Sequence, residues 1–536
     1  MSLKNLPVLF LDLQTTGAKP DTANILEMAW GSKTKKLSYL VQQPEGESIP
    51  RRIQYITGIF EEDMDEAQRL SDVLKVLKDF IAEHVGLHPV AVIHFAQFEK
   101  PFLLDAYEKI QEEMPFSILC THEIAKRLFP NLPTRGIKGL AGYFGFPSGE
   151  LKRGDNHVQA TEVIWNGLAE ALETKGITSL ETLQQWLQET PKAARVKYEY
   201  PLPKEKRLSL PKQPGIYRMI SRWGEVLYVG KATSLHDRVN SYFRGQKNRD
   251  TRKLEMLTQV WDLHVTPVSS PLEAALLETD EIKRLDPPYN VSLKVGARSM
   301  AFFNRDFTSV SHEHDEEHCI GPFSNSMVLD SMLKLNHSLT CEEFDENMFY
   351  EPIDAELLKD GFELFCQRHE VDKLSFTSMR SILALGLSWV RGLNEEDDVE
   401  EDIETEESEV TATEASSPSE GDEDVESEEE LEVELTAEDI ADKFERHFIR
   451  AARAYLRTKK LTRLLNVDIQ FELKSPVILK IRQGNIVHED SPITAKSWKN
   501  LSIETYDRMT VLYTELEKLR AQDCNLKIHK IYLNLE

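Results

Sequence analysis

Between Glu395 and Asp439 the chain carries 24 acidic residues and no lysine or arginine. Like charges at that density repel one another, and the stretch holds too few apolar and aromatic side chains to bury a core, so it is expected to stay disordered. It divides the 536-residue chain, and every folded part must be built from what lies on either side. At about 150 residues per domain the length still allows three to four domains. The same stretch accounts for −24 of the formal −27, leaving the rest of the chain near −3. The average charge therefore does not argue against a nucleic-acid partner.

Five scattered cysteines, Cys120, Cys319, Cys341, Cys366 and Cys524, form no Cys-x-x-Cys pair. An odd, dispersed set disfavours a disulfide framework and a tetra-cysteine zinc site, and fits a reducing compartment. The opening MSLKNLPVLFLDLQTTG reaches an aspartate after a short apolar run, unlike a signal peptide, and no run of 18 apolar residues offers a membrane span. The expectation is a soluble, cytoplasmic protein with no membrane partner.

PVLFLDL and NILEMAW, separated by a Thr-Thr-Gly turn, read as a hairpin-like start to a mixed sheet. Helical spacing follows over 67–84, a buried strand over 91–95 and a helix from about Lys100 to Glu113, which predicts an α/β domain over 1–190. A proline-rich connector, 191–213, leads to two β-rich runs, GIYRMI and EVLYVG, and then helices; this makes a small α/β domain over 214–297. Residues 298–393 read as mostly helical, 394–439 as the acidic tract, and 440–536 as an α+β region opened by a basic amphipathic helix. The parts on either side of the tract are expected to make one domain into which it is inserted.

Taken singly, the residues of the second domain read as packing or solvated surface. Together, PGIYRMISRWGEVLYVGKATSLHDRVNSYF and LEAALLETDEIKRLDPPYNV resemble the GIY-YIG nuclease domain, and specifically the incision domain of UvrC-type and Cho-type excision nucleases. Hydrolysis of a phosphodiester needs a deprotonated water, positive charge on the phosphorane and help for the leaving oxygen. The resemblance implies Glu278 as the single side-chain ligand of Mg²⁺ or Mn²⁺, and Arg238 as fixed positive charge at the scissile phosphate. Tyr217 or Tyr228, with Lys231 lowering its pKa, would accept the water's proton, while Tyr242 and Asn290 would position the phosphate and the waters around the metal. Residues 201–298 hold 17 Lys/Arg against 11 Asp/Glu, with RGQKNRDTRK (244–253) as a loop suited to DNA backbone, though such a loop is more often only solvated surface.

Residues 7–175 resemble the DEDDh, DnaQ-like exonucleases through FLDLQTTG, NILEMAW, ITGI, IHFAQFEKPFL and HVQATEV. The family's chemistry is two-metal hydrolysis, with carboxylates holding the ions and a histidine as base. By that resemblance Asp12 fills the first carboxylate position, Gln14 stands where Glu is usual, Glu99 and Glu162 stand where Asp is usual, and His157 is the base. Phe95 departs from the usual Asn. A glutamine amide brings a carbonyl but no charge, so Gln14 weakens a dimetal site. Asp12 capping a turn and His157 as a surface histidine after a flexible Gly-Asp-Asn loop are the bland alternatives.

The fold class expected is thus multidomain α/β: an RNase H-like exonuclease fold, a small GIY-YIG α/β domain, and a C-terminal α+β region interrupted by a disordered acidic tract. GPFSNSMVLDSMLKL (321–335) resembles the region following the nuclease domain in UvrC-type proteins, but no second nuclease domain or tandem helix-hairpin-helix is evident. The implied function is a DNA repair nuclease incising damaged DNA, as in nucleotide excision repair, acting on damaged duplex or single-stranded ends, with a loading helicase as a further partner. Two rivals stand beside it: a catalytically silent first domain that binds DNA or a partner, and a structure-specific or restriction-like nuclease. The acidic tract reads as a solvating linker, or as a DNA-mimicking arm beside the basic nuclease surface.

Overall fold

The computed structural model describes residues 2–147, 149, 151–189, 197–244, 250–290, 299–341, 343–350, 353–372, 376, 378–390, 435–465, 467–472, 478–482, 485–487, 498–499, 501–521 and 527–532. The acidic tract up to residue 434, the part of the basic loop over 245–249 and the turn at 483–484 lie outside the described residues. The described residues fall into two compact units, one over 2–269 and 287–290, the other over 270–286, 299–390 and 435–532.

The first unit begins with strands β1 (Leu9–Thr15), β2 (Ile25–Gly31), β3 (Lys36–Leu40), β4 (Val90–Ile93) and β5 (Ser117–Cys120), in the sheet order β3-β2-β1-β4-β5. β1 runs antiparallel to β2 and parallel to β4. Because β1 is central and covered on both faces, its apolar run is continuous. Leu9, Leu11 and Leu13 enter one core with Trp30 and Phe102, whereas Phe10 enters another with Trp165 and Leu168. Strand alternation therefore turns Asp12 to the same face as Phe10.

Around this sheet lie α1 (Arg51–Thr57), α2 (Leu70–His84), α3 (Ala96–Lys109), α4 (Thr121–Leu128), α5 (Ile137–Phe144), α6 (Gly154–Thr174) and α7 (Leu180–Gln188). α3 starts four residues before the expected Lys100. Proline favours a helix's first turn, which draws a sequence-based start toward Pro101, but here Pro101 lies inside the helix. Likewise Gly154-Asp155-Asn156 is the first turn of α6 rather than a flexible loop before His157.

α8 (Lys204–Leu208) falls within the expected connector. A three-stranded antiparallel sheet follows, in the order β7-β6-β8, from β6 (Gly215–Ile220), β7 (Val226–Ala232) and β8 (Asp262–Pro267), with α9 (Leu235–Ser241) and α10 (Thr251–Gln259). The β6–β7 hairpin turns through Gly224 at φ +89°, a conformation open to glycine.

The second unit opens with α11 (Pro271–Leu285) and a small sheet, β10-β9-β11, from β9 (Ala301–Phe303), β10 (Val310–Ser311) and β11 (Ile320–Phe323). The stretch after 298 is therefore not mostly helical at its start: short aromatic runs such as AFF pair as strands. Helices α12 (Asp330–Cys341), α13 (Ala355–Arg368), α14 (Met379–Val390), α15 (Ala437–Leu464) and α16 (Ile503–Ala521) follow. A sheet β14-β13-β12-β15 is built from β12 (Val467–Glu472), β13 (Ile478–Arg482), β14 (Asn485–Val487) and β15 (Lys527–Tyr532).

One core joins Phe362, Phe365 and Ile382, from before the acidic tract, to Ile440, Phe444 and Phe448 after it. Glu438 and Asp439 belong to α15 rather than to the tract, because Thr436 and Asp439 form a capping box where acidic charge complements the helix N-terminus. α11 buries Leu272 and Leu276 with Leu461, Tyr506 and Met509, and its Lys283 and Asp280 pair with Asp507 and Arg508 at 2.6 and 2.8 Å. Among the described residues Cys120, Cys319, Cys341 and Cys366 form no disulfide, and no helix is long and apolar enough to cross a membrane.

Two candidate active sites

The first site is a cluster of three tyrosines on the β6–β7 hairpin and the end of α9. The register sets Tyr217 opposite Gly230 and Met219 opposite Tyr228. A Cβ at position 230 would lie 2.4 Å from the Tyr217 hydroxyl and 2.8 Å from the Tyr228 ring, so the glycine of Tyr-Val-Gly is what lets the Tyr217 ring cross β7. The three ring centroids lie 6.1 to 6.3 Å apart, and the Tyr217 and Tyr242 hydroxyls are hydrogen-bonded at 2.9 Å.

Ser234 caps α9 by accepting from the Asp237 amide, and one turn on, the exposed Arg238 lays its guanidinium 5.5 Å from the Tyr242 ring centre. Tyr217 is fully buried while Tyr228 is half-buried. Burial pushes the Tyr217 hydroxyl well above its ordinary value, and Tyr228 and Tyr242 push it further; Arg238 only offsets this. Arg238 is held above its ordinary value: burial opposes this, but the three phenols outweigh it.

Asn290 uses both ends of its amide on one peptide. Its Oδ1 accepts from the Val229 amide and its Nδ2 donates to the Val229 carbonyl, each at 2.9 Å, so it clamps β7 beside Tyr228. Lys231 sits across from Ile216, and the two-residue strand period sets it on the alternate face from Tyr228 and Gly230. Glu278 stands half-buried on α11, next to buried Thr279. One carboxylate with access to water fits a hard divalent cation that keeps several waters.

The second site is built on β1 and α6. Asp12 is buried, and both its oxygens are engaged by protein: Gln14 Nε2 donates to Oδ2 at 2.8 Å, and His157 Nδ1 lies 3.0 Å from Oδ1. His157 Nε2 lies 3.2 Å from the Leu151 carbonyl. Gly154 lets α6 approach the sheet, since a Cβ there would lie 2.7 Å from Ala29 Cβ and 3.4 Å from Asp12 Oδ2. Glu99 is buried in the first turn of α3, where the helix N-terminus favours an acid.

Glu162 is placed elsewhere, in an ion pair with Lys36 of β3 at 2.8 Å. Eight residues separate it from Gly154, and at 1.5 Å per residue α6 carries it about 12 Å further along its axis. The structure thus brings Asp12, Gln14 and His157 together, while Glu162, five residues beyond His157 on α6, is paired with Lys36. Among the described residues no group of three or more His, Cys, Asp or Glu side chains is arranged to hold a metal ion.

Sequence reasoning missed Glu27 and His94. Glu27 is 1% exposed in the middle of β2, and Arg153 donates to its Oε1 at 2.8 Å, Ser38 at 2.7 Å, and the Gly154 amide to its Oε2 at 2.8 Å. The signal was available: a glutamate inside the apolar run NILEMAW is buried only if it is paired. His94 is buried next to Thr121, with its Nδ1 2.8 Å from Oγ1, and burial together with His122 and His157 lowers its pKa to about 3.

A family model described as the UvrC-like GIY-YIG domain matches residues 213–291. A Mycobacterium tuberculosis protein named as a bifunctional exonuclease/endonuclease is 28% identical over 304 residues, covering 54% of this chain and 45% of that protein. The UvrABC system protein C of Pelodictyon phaeoclathratiforme is 38% identical over 141 residues, covering 25% of this chain and 22% of its own. The chain thus spans less than half the length of these relatives. Among solved structures, the GIY-YIG N-terminal endonuclease domain of UvrC from Thermotoga maritima, bound to its catalytic magnesium, is 32% identical over 16% of this chain and 94% of that one, at a TM-score of 0.15. Exonuclease X in complex with duplex DNA is 21% identical over 34% of this chain and 99% of that one, at a TM-score of 0.26. Residues 213–291 thus match a UvrC-like GIY-YIG domain, and the chain is similar over 54% of its length to a protein named as a bifunctional exonuclease/endonuclease.

Proposed function

We propose that the protein is a DNA repair nuclease whose GIY-YIG domain hydrolyses a phosphodiester bond in damaged duplex DNA. The observation that carries this reading is the tyrosine cluster, buried at Tyr217 and half-buried at Tyr228, with Arg238 exposed at its edge. Tyr228 takes the proton of the attacking water. Tyr217 is a poor base, because burial and two neighbouring phenols disfavour its phenolate; its role is to fix Tyr242 through their shared hydrogen bond. Arg238 presents fixed charge to the phosphorane, where preorganised charge is most effective.

Glu278 would hold Mg²⁺ or Mn²⁺, which would supply further charge neutralisation at the phosphate. Asn290 acts through β7, by holding the Val229 peptide. In this reading the substrate is delivered by a damage-loading helicase and the protein works in the cytoplasm.

A second element of the reading is that the exonuclease-like domain is a scaffold rather than a 3′-end nuclease, favoured by the engagement of both Asp12 oxygens by Gln14 and His157. The test is strand-specific nicking of adduct-bearing duplex in Mg²⁺ or Mn²⁺. Tyr228→Phe is expected to lower kcat by about 10²-fold or more, as for loss of a general base, and Tyr217→Phe by less. Equal losses in the two variants would reject the assignment of the base.

A further inference from the structure

In the first unit, α5 of the exonuclease-like domain is seated on α10 of the GIY-YIG domain, most closely at its two glycines, Gly139 and Gly142. A Cβ at Gly142 would lie 1.8 Å from Gln259 Oε1, and one at Gly139 would lie 3.6 Å from the Glu255 Cα and 3.8 Å from Thr258 Cβ. Around this contact the Thr134 amide donates to Thr258 Oγ1 at 3.3 Å, the Glu199 amide donates to the Asn131 carbonyl at 2.8 Å, and Tyr143 lies 5.4 Å from Trp261. Thr258 and Gln259 are 0% and 1% exposed, which is unusual for polar residues at the end of a helix and reflects the closeness of α5.

Gln259 does not end at that interface. Its Nε2 donates to the Tyr289 hydroxyl at 2.5 Å, and the Tyr289 amide donates to the Leu227 carbonyl on β7 at 3.0 Å. The next residue, Asn290, holds the Val229 peptide at both ends. The same Gln259 Nε2 donates to the Glu255 carbonyl of α10 at 3.1 Å, so the buried amide is tied to its own helix and to Tyr289 at once and fixes the Tyr289 hydroxyl relative to α10, because leaving either group unpaired is unfavourable. We propose that the exonuclease-like domain braces the tyrosine centre: α5 fixes Gln259, which through Tyr289 and Asn290 holds β7, and Tyr228 on it, in place. Gln259 is thus a positioning residue, and the first domain contributes to incision without touching DNA or a metal. The functional consequence rests on the reading of the second domain as the nuclease; the mechanical one does not.

Hydrogen exchange in the full chain separates the two. Gln259→Met keeps the volume and removes the donor, Gln259→Glu retains an acceptor for the Tyr289 hydroxyl, and Gly142→Val drives a side chain into Gln259 from the other domain. Gln259→Met and Gly142→Val are expected to speed amide exchange over 226–232 about fivefold, as for one lost hydrogen bond, with Gln259→Glu within about twofold of the parent. Nicking kcat is expected to fall by about the same fivefold factor while KM for DNA stays unchanged. Unchanged exchange over 226–232 in Gln259→Met overturns the proposal whatever the nicking shows, and it does so even where Gly142→Val fails to fold. Faster exchange in a protein that nicks no DNA leaves the brace standing and rejects the nuclease reading.

Discussion

Gly230 shows how one residue can decide a site. Its missing Cβ is the space in which the Tyr217 ring crosses β7, so Gly230→Ala must displace either that ring or the strand. The expected loss is about 1–3 kcal/mol of stability, the range for overpacking a buried site, together with most of the nicking activity; a thermal melt and a nicking assay on the same preparation read both. Gln14 carries a second expectation. It donates to Asp12 Oδ2 at 2.8 Å, so Gln14→Glu sets two carboxylates against each other, and like charges this close disfavour joint ionisation. The variant should melt lower than the parent without metal and regain the difference on adding Mn²⁺, whereas the parent's first domain should show no such gain; equal Mn²⁺ responses would contradict this. The motif residues around Tyr217 and Asp12 were legible in the sequence. The pairing of Glu162 with Lys36 was not, because it depends on where α6 crosses the sheet.

At the level of elements, the period of the apolar residues located most strands and helices, and their ends were set by features a periodic pattern does not contain. α3 accepts Pro101 inside it, α6 absorbs the Gly-Asp-Asn segment, and α15 takes in Glu438 and Asp439 through its capping box. The junction of β4 and α3 holds the clearest pH dependence. His94 is buried there and neutral, with a pKa of about 3 against 6.5 when unfolded, chiefly through burial. Between those values the unfolded chain binds the proton and the folded one does not, so stability falls as pH drops from 6.5 toward 3. This one group accounts for a loss on the order of 2 kcal/mol at pH 5. His94→Gln should reduce the shift in urea midpoint between pH 7.5 and pH 5; an unchanged shift would contradict the assignment.

On the scale of the whole molecule, the acidic tract is the most visible feature of the sequence, yet the fold does not depend on it for its core. Phe362 and Phe365 from one side and Phe444 and Phe448 from the other share one cluster. Because loop-closure entropy changes slowly with length, replacing 395–434 by a short Gly/Ser linker is expected to leave the melting temperature within a few degrees of the parent; a collapse of the α13–α15 core on deletion would show otherwise. The central claim is that the GIY-YIG domain cuts and the exonuclease-like domain supports it. The most direct test is a nicking assay on adduct-bearing duplex, each strand labelled separately, in Mg²⁺ and in Mn²⁺, comparing the parent with Glu278→Gln and His157→Ala. The account predicts discrete incision near the adduct that is lost in Glu278→Gln and retained in His157→Ala. Progressive digestion from a 3′ end, retained in Glu278→Gln and lost in His157→Ala, would contradict it.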